Sequence, residues 1–330
     1  MRNPILYNES YSKLSAEENI LLDKSLEYIK SFVENSPKIS NVNYATRDAH
    51  AKTYAYIDSI FKPSQDPLVQ SIFTKDKYNA IVRVSHAHIK IISTDKQLPL
   101  YGNSFKIILD NQKEINLPLV NFPVFVTNSV SNFLKIFNEV NQLFTNSLIQ
   151  KPNHLVEIIS NLIPVGFETM NKDFIKSINQ WRKMYSYFIF SRNYHSIGAY
   201  KIGNYMMKIK AVPQLFHPEF DEGKTINETI QNYLKKYSLK FKLFYQLSYD
   251  EDDQPINNLL KIWKNSPDIE FGTFEFNNVI AETLEMENLS FNPFDNIDEL
   301  LPVGKIQQLR QKIYETSINA RKNINNQSKF

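Results

Sequence analysis

The sequence of 330 residues contains no cysteine, and this absence excludes several kinds of protein. Without thiols there is no disulfide framework, no thiolate zinc or iron–sulfur site and no cysteine nucleophile. Only 7 glycines are present, and neither GxGxxG nor GxxxxGK[ST] occurs, so the sequence does not predict a phosphate-binding nucleotide loop. No apolar run approaches the ~20 residues of a membrane span, and the start of the sequence has no signal-peptide core.

The chain also has little excess charge of either sign, because its net charge is only +3. A dedicated nucleic-acid-binding protein would normally be more basic. Apolar residues make up 42% and charged residues 22% of the chain, both near globular averages. We therefore expect a soluble, cytoplasmic protein with no nucleic-acid partner, and the sequence leaves a homo-oligomer open.

The first regular element predicted by the sequence is a helix over 14–35. Ser15 and Glu18 have the spacing of a capping box, in which each side chain bonds the backbone N–H of the other residue. Apolar residues then recur at helical spacing: Leu22, Leu26, Ile29 and Val33.

The remaining chain alternates between strand-like and helical segments. Strand patterns occupy about 44–109, with the clearest two-fold alternation at 80–92, and return at 185–211 and 237–249. Helical spacing occurs at 129–149, at 153–181 and in a final helix from about Val303. This order is not a βα repeat, so it predicts an α+β protein with a mainly antiparallel sheet and one domain.

Two histidines in the strand segment could ligate a metal ion. His86 and His88 are two residues apart and in a strand would point to one face. Two imidazoles can share a metal ion, but no Asp, Glu or His cluster beside them supplies a third ligand. Ordinary polar strand residues are the alternative.

Arg83 lies on the alternate face of the same segment, between Ile81 and Ser85. A guanidinium on an apolar face is costly to bury unless it meets an anion. The sequence leaves open whether that anion is a protein carboxylate or a bound ligand.

His50 has small neighbours, Ala49 and Ala51, and Arg47 lies three residues before it. Small neighbours leave room above the imidazole for a flat molecule. A purely structural histidine is the alternative.

The final helix carries the most informative spacing. Arg310, Tyr314 and Arg321 are four and seven residues apart, which brings them to nearly the same helical face. A cation about 4 Å from a phenol favours the phenolate by ~4 kcal/mol at an effective dielectric constant of about 20, and tyrosinate is a haem ligand type. An Arg-rich helix whose tyrosine packs against the sheet is the alternative.

Six segments in fixed order carry a family resemblance. They are RDAHA at 47–51, IVRVS at 81–85, GNSFK at 102–106, FPVF at 122–125 followed by Phe133, LSFNPFDN at 289–296 and RQKIYETSINAR at 310–321. The first resembles the distal-histidine motif R-x-x-H-A of the catalase superfamily, and the last resembles its proximal R-x-x-x-Y motif with a second arginine seven residues later. The resemblance spans about 40–325 and is to the short, catalase-related haem proteins of that superfamily.

This resemblance implies a closed antiparallel β-barrel with flanking helices and a carboxy-terminal proximal haem helix. It implies one catalase-like haem domain over 1–330. The parts of that domain would be an N-terminal helical segment at 1–40, a first barrel half at 41–128, helices at 129–184, a second barrel half at 185–285 and the proximal helix at 286–330.

The resemblance also implies haem b, with its iron, as the cofactor. Tyr314 would be the iron ligand and Arg310 its charge partner, while His50, Ser85 and Asn121 would be catalytic. The other cofactor-binding residues would be the propionate partners Arg47, Arg83 and Arg321 and the apolar Phe125 and Phe133.

Several positions depart from the pattern of full-length catalases. Their distal asparagine lies three residues before the P-x-F proline, where this chain has Val120 and places Asn121 one residue late. Tyr101 stands in place of an arginine before GNSFK, and Thr53 and Tyr54 stand where full-length catalases are Gly-rich. The extra arms and helical regions of those catalases are also expected to be absent.

The function predicted is haem-dependent turnover of hydrogen peroxide or organic hydroperoxides, with His50 as the acid–base group. The departures favour peroxidase-type or organic-hydroperoxide turnover over catalase activity. Two alternatives stay open: a haem enzyme that rearranges or cleaves fatty-acid hydroperoxides, as allene oxide synthases do, and a haem-binding protein without turnover.

Overall fold

The computed structural model describes residues 3–92, 98–110, 113–145, 151–184 and 187–327. The helices are α1 Ala16–Ser40, α2 Pro67–Gln70, α3 Val130–Thr145, α4 Lys151–Thr169, α5 Lys172–Lys183, α6 Ile226–Lys236, α7 Leu284–Asn288 and α8 Lys305–Gln327. The strands are β1 Thr53–Pro63, β2 Tyr78–His86, β3 Tyr101–Ile108, β4 Glu114–Val120, β5 Tyr194–His195, β6 Ala199–Ile202, β7 Tyr205–Gln214, β8 Leu239–Leu247, β9 Ile269–Ile280 and β10 Pro302–Val303.

Eight strands close into an antiparallel barrel. They follow the order β1-β2-β3-β4-β5-β7-β8-β9, and β9 pairs back onto β1. Strands β6 and β10 extend from β7 outside this ring. Closure leaves each barrel strand paired on both sides, which removes the exposed edges of an open sheet.

The barrel interior is filled by aromatic and branched side chains. Strand β8 shows how: its residues alternate between buried and half-buried along LKFKLFYQL, so one face of the strand points inward. The inward Phe241 and its neighbours Phe105, Phe274 and Phe276 form ring pairs with centroids 4.7–6.5 Å apart. Such offset and edge contacts add to the free energy gained by burying the rings.

A second apolar core lies outside the barrel, where helices α1, α3 and α8 pack together. Its fully buried members include Ile29 and Val33 of α1, Leu134 of α3 and Leu309 of α8. The apolar face of α1 is therefore turned toward the helices that border the site described below.

The closed antiparallel barrel with flanking helices confirms the α+β fold that the sequence and its resemblance predicted. The helix predicted at 14–35 extends to Ser40, past Pro37. Proline cannot donate to the carbonyl four residues back, and here the Ser36 hydroxyl donates to that carbonyl, of Val33, at 2.7 Å.

The strand predicted over 80–92 ends at His86, so His86 and His88 do not share a strand face. His86 Nε2 lies 2.9 Å from the carbonyl oxygen of Leu98, and His88 Nδ1 accepts from the amide of Lys90 at 3.2 Å. Across the described ranges no three metal-ligating side chains cluster.

None of the helices that the structure describes combines the length and apolar character needed to cross a bilayer.

The capping box of α1 gives a first prediction. Ser15 Oγ accepts from the amide of Glu18 at 3.1 Å, and the Glu18 carboxylate accepts from the amide of Ser15 at 2.7 Å. We expect Ser15→Ala to lower the free energy of unfolding by about 1 kcal/mol, measured by urea denaturation. Ser10→Ala, at an exposed serine of the preceding turn, is the matched control, and equal losses in both variants would contradict the assignment.

Candidate functional site

A cavity of about 310 Å³ lies between the outer wall of the barrel and helix α8. Strand alternation produces this arrangement, because Val82 and Phe105 point into the barrel core while the adjacent Arg83 and Ser104 line the cavity. Eight of the ten haem-site residues that the resemblance implied line it: Arg47, His50, Arg83, Phe125, Phe133, Arg310, Tyr314 and Arg321.

Helix α8 presents a tyrosine–arginine pair to the cavity. Arg310 Nη2 donates to the Tyr314 hydroxyl oxygen at 2.9 Å, and Arg310 Nη1 donates to Gln307 Oε1 at 2.6 Å. The spacings of three and four residues place these side chains on adjacent turns. Burial opposes the charge of Arg310, but the nearby phenol oxygens of Tyr314 and Tyr200 outweigh it and raise the pKa of Arg310. The cation next to Tyr314 therefore stays charged.

His50 lies just before β1, in a backbone conformation that is rare for residues other than glycine, with φ 53°. The Nδ1 atom of its ring lies 3.2 Å from Ser85 Oγ. The ring rests against Gly102, where an added Cβ would come within 2.7 Å of His50 Cε1 and 2.8 Å of Nδ1. Glycine is therefore required at 102 for this ring position, and left-handed backbone at 50 is the kind of local strain found at functional sites.

The hydrogen bonds around His50 determine its tautomer. Ser85 Oγ donates to the carbonyl oxygen of Gly102 at 3.3 Å, so its lone pairs remain to accept from His50 Nδ1–H. Nε2 is then the nitrogen that carries the free lone pair. Burial, and after it the positive charge of Arg83, lowers the pKa of His50 to about 3. At neutral pH the imidazole is therefore an uncharged base.

A buried ion pair lies at the strand side of the cavity. Arg47 Nη1 donates to Glu287 Oε2 at 2.8 Å, and Glu287 Oε1 accepts from the hydroxyls of Thr53 at 2.8 Å and Tyr56 at 3.0 Å. Burial alone would raise the pKa of Glu287, but the charges of Arg47 and Arg83 outweigh it and lower that pKa. Glu287 is therefore a carboxylate.

Arg83 and Arg321 also line the cavity, and their hydrogen bonds are to neutral oxygens. Arg83 donates to neutral oxygens, Thr53 Oγ1 at 3.1 Å and the His50 carbonyl at 2.6 Å. The Nε of Arg321 is buried with no partner, and its Nη2 only reaches the carbonyl of Asn288 at 3.5 Å. Burial, followed by repulsion from Arg47, lowers the pKa of Arg321 to about 9. An anionic ligand in the cavity fits this excess of positive charge.

The apolar part of the lining is a phenylalanine wall. The rings of Phe125 and Phe133 lie 5.3 Å apart, and Phe137 stacks on Phe133 at 5.6 Å with an interplanar angle of 14°. Ile306 and Ile313 of α8 also line the cavity. The cavity thus combines an apolar surface with basic groups, as sites for amphiphilic ligands do.

The other two of these ten residues, Ser85 and Asn121, are not among the residues that line the cavity. The Ser85 hydroxyl contacts Nδ1 of the His50 ring, as described above. Asn121 accepts from the amide of Tyr101 at 2.8 Å and donates to the carbonyl of Pro99 at 2.7 Å, so its amide group is bonded to backbone. Val120 lines the cavity in its place, and a catalytic role for Asn121 stays a prediction.

Residues that the sequence did not single out also contribute to the site. Glu287 and Gln307 bond the arginines, and the buried Asp48 accepts from the Ser317 hydroxyl at 2.6 Å. Asp48 and Gly102 lie within the motif segments RDAHA and GNSFK, so the sequence did mark their neighbourhood. Glu287 lies in a run of several glutamates, and nothing in its local pattern distinguishes it.

Comparisons with solved structures find this fold in catalases. A crystal structure of a fungal catalase at 1.9 Å matches 84% of this chain with a TM-score of 0.63 and 14% identity. Catalase A from Saccharomyces cerevisiae matches 98% of this chain with a TM-score of 0.60 and 14% identity. The chain spans 59% of the first catalase and 67% of the second. No family model and no curated protein matches the sequence.

The chain therefore has a catalase-like fold. An identity of 14% shows the fold alone, so the chemistry must be argued from the cavity residues of this chain.

The lowered pKa of His50 predicts a pH dependence of stability. In the unfolded chain a histidine takes up a proton as the pH falls below about 6.5, whereas folded His50 stays neutral down to about pH 3. Proton uptake then favours the unfolded state, so His50 lowers stability progressively from pH 6.5 to 3. Between pH 7 and 5 we expect the ligand-free wild type to lose about 1–2 kcal/mol more than His50→Gln.

Urea denaturation at the two pH values measures this difference. His195, whose pKa burial lowers to about 4, is present in both proteins, so its contribution cancels. Identical pH profiles would show that His50 is not held in its neutral form.

Proposed function

We propose that this protein is a haem-dependent enzyme that consumes peroxides. The observation that supports this most is the composition of one cavity, which holds the Arg310–Tyr314 pair on α8 and the neutral His50 on the barrel side. A phenol beside a fixed guanidinium is suited to bind iron as a phenolate. An uncharged imidazole is suited to accept a proton from a peroxide.

The lining residues fit haem. Tyr314 would be the iron ligand, and Arg83 and the unpartnered Nε of Arg321 would face the haem carboxylates. Phe125, Phe133 and Ile313 would contact the apolar macrocycle. The catalases of the same fold support this proposal, as does the resemblance of the segments around His50 and Tyr314 to the distal and proximal motifs described above.

Bound haem would supply a Lewis-acidic, redox-active iron for cleavage of a peroxide O–O bond. His50 Nε2 would accept the proton of the peroxide and return it to the departing oxygen, so that water or an alcohol leaves. Ser85 holds the tautomer in which Nε2 is free, because its own hydrogen is donated to the carbonyl of Gly102. Arg310 donates to the Tyr314 hydroxyl oxygen at 2.9 Å and so fixes the position of the oxygen that would bind iron.

The apolar wall favours organic hydroperoxides or organic reductants over hydrogen peroxide alone. Hydrogen peroxide disproportionation gains from polar groups that hold a second peroxide, and the amide of Asn121 is bonded to backbone instead. Phe125, Phe133 and Phe137 offer a surface for an alkyl chain or an aromatic donor. The same wall suits the second candidate function, rearrangement or cleavage of fatty-acid hydroperoxides.

Haem retention should depend on Tyr314. Tyr314→Phe keeps the ring and its packing but removes the oxygen that would bind iron. We expect this variant to purify with much less haem than wild type when haem is supplied, and to show an altered ferric absorption spectrum. Tyr187→Phe removes a hydroxyl from an exposed tyrosine and is the control; full haem content with an unchanged spectrum in Tyr314→Phe would exclude the ligand assignment.

Turnover, but not haem content, should depend on His50. His50→Ala removes the proton acceptor, a contribution of about 10²–10⁴-fold in rate. The measurement is peroxide consumption per haem. His217→Ala, at an exposed histidine, should keep the wild-type rate, and a wild-type rate in His50→Ala would refute the acid–base role.

Parallel assays on the wild type decide between the proposed substrates. They use hydrogen peroxide alone, hydrogen peroxide with a phenolic donor, and a fatty-acid hydroperoxide. We expect kcat/KM in the second or third assay to exceed that of oxygen evolution in the first. Rearranged or cleaved fatty-acid products without consumption of a donor would favour the second candidate function, and haem binding with no turnover in any assay would contradict an enzymatic role.

A further inference from the structure

We propose that Glu287 is a built-in carboxylate that neutralises Arg47, so that Arg83 and Arg321 are the arginines that receive the two carboxylates of the cofactor. Arg47 is then a positioning residue and not a propionate partner, which differs from the role that the family resemblance implied. The inference rests on the proposed function only for the identity of the ligand as haem.

Arg47 already has a carboxylate partner within the protein. Its Nη1 donates to Glu287 at 2.8 Å and its Nη2 donates to the carbonyl of Leu289 at 2.9 Å. Only 11% of the Arg47 side chain and 4% of the Glu287 side chain are exposed. The hydroxyls of Thr53 and Tyr56 satisfy the second oxygen of Glu287. A buried guanidinium that is already bonded to a carboxylate gains less from a further anion than one that has only neutral partners.

The contacts of Arg321 are incomplete. Its Nε has no partner, its Nη2 reaches one carbonyl oxygen at 3.5 Å, and only 2% of the residue is exposed. Arg83 donates to neutral oxygens of Thr53 and His50. A buried guanidinium with neutral or missing partners is destabilising until an anion approaches it. Both residues line the cavity.

The charges of the cluster lead to the same assignment. Glu287 bonds one of the three guanidiniums of Arg47, Arg83 and Arg321, which leaves two guanidiniums for the two carboxylates of the cofactor. Asp48 also lines the cavity, but burial raises its pKa and its oxygen is bonded by the Ser317 hydroxyl. The charges of Arg321 and Arg47 oppose that rise, but the hydrogen bond of Asp48 is with a hydroxyl, whereas that of Glu287 is with the guanidinium of Arg47.

Thr53 connects the paired and the unpaired arginine. Its hydroxyl donates to Glu287 and accepts from Arg83 Nε. Glu287 thus orients Arg83 indirectly and holds Arg47 directly. Removal of the Glu287 charge, with retention of a hydrogen-bond acceptor, should release Arg47 toward the cavity.

Thermal unfolding of the ligand-free protein tests the pairing without any cofactor. Arg321→Met removes an uncompensated charge and should raise Tm. Glu287→Gln leaves Arg47 without its carboxylate and should lower Tm. Arg182→Met, at an exposed arginine outside the cavity, is the matched control and should leave Tm within a degree or so of wild type.

Haem transfer from the haem-loaded protein to an excess of an apoglobin tests which arginines bind the carboxylates of the cofactor. We expect Arg321→Met to release haem at least about tenfold faster, since a hydrogen bond between charged groups is lost. Glu287→Gln should release haem about threefold more slowly, since one more guanidinium charge faces the carboxylates. The double variant Arg47→Met/Glu287→Gln keeps the net charge of the cluster and should stay within about threefold of wild type.

For Glu287→Gln the proposal expects a lower Tm of the apoprotein but slower haem release. If Glu287 had only a structural role, the variant would release haem faster than wild type. The proposal is overturned if the double variant loses haem as fast as Arg321→Met, or if Arg321→Met lowers Tm of the apoprotein. A wild type that takes up no haem would refute the proposed function, and the apoprotein Tm values would still decide the pairing.

Discussion

The charge of the arginines around one cavity is the constraint on which the rest of the site depends. Arg47, Arg83, Arg310 and Arg321 all line it, and each guanidinium needs a partner once it is removed from water. Glu287 satisfies Arg47, Tyr314 and Gln307 satisfy Arg310, and Arg321 retains a free Nε. The fold therefore holds the Tyr314 phenol in place through Arg310. It keeps positive charge available for a ligand through Arg83 and Arg321. The proposed cofactor role follows from this distribution more directly than from any single motif.

The barrel supplies the second requirement, a fixed base. Antiparallel pairing of β2 with β3 places Gly102 directly opposite Ser85. In this register the Ser85 hydroxyl contacts the His50 ring, and the absence of a side chain at Gly102 leaves space for that ring. A shift by one residue would turn Ser85 into the barrel and Val84 outward. The ring of His50, the proposed acid–base group, is thus oriented by strand register and not by a loop alone, which is what a proton transfer at a defined atom requires.

Much of this could be predicted from the sequence, because it is encoded locally. The capping box of α1, the alternation around Arg83 and the four-residue spacing of Arg310 and Tyr314 each follow from the geometry of one element. Glu287 could not be predicted, because it meets Arg47 across 240 residues of sequence and no periodic pattern marks it. Strand β9, which closes the barrel between β8 and β1, was missed as a separate strand, and the backbone contacts of Asn121 depend on tertiary packing that local spacing does not encode.

A site organised in this way couples ligand binding to folding. The buried charge of Arg321 destabilises the ligand-free protein, and an anion that binds only the folded state removes that cost and stabilises the fold in proportion to its concentration and affinity. The apolar wall of Phe125, Phe133 and Phe137 would accept many flat or chain-like molecules. Only a ligand that also carries negative charge would relieve the arginines, so the same charge imbalance that weakens the apoprotein discriminates against neutral occupants of equal size.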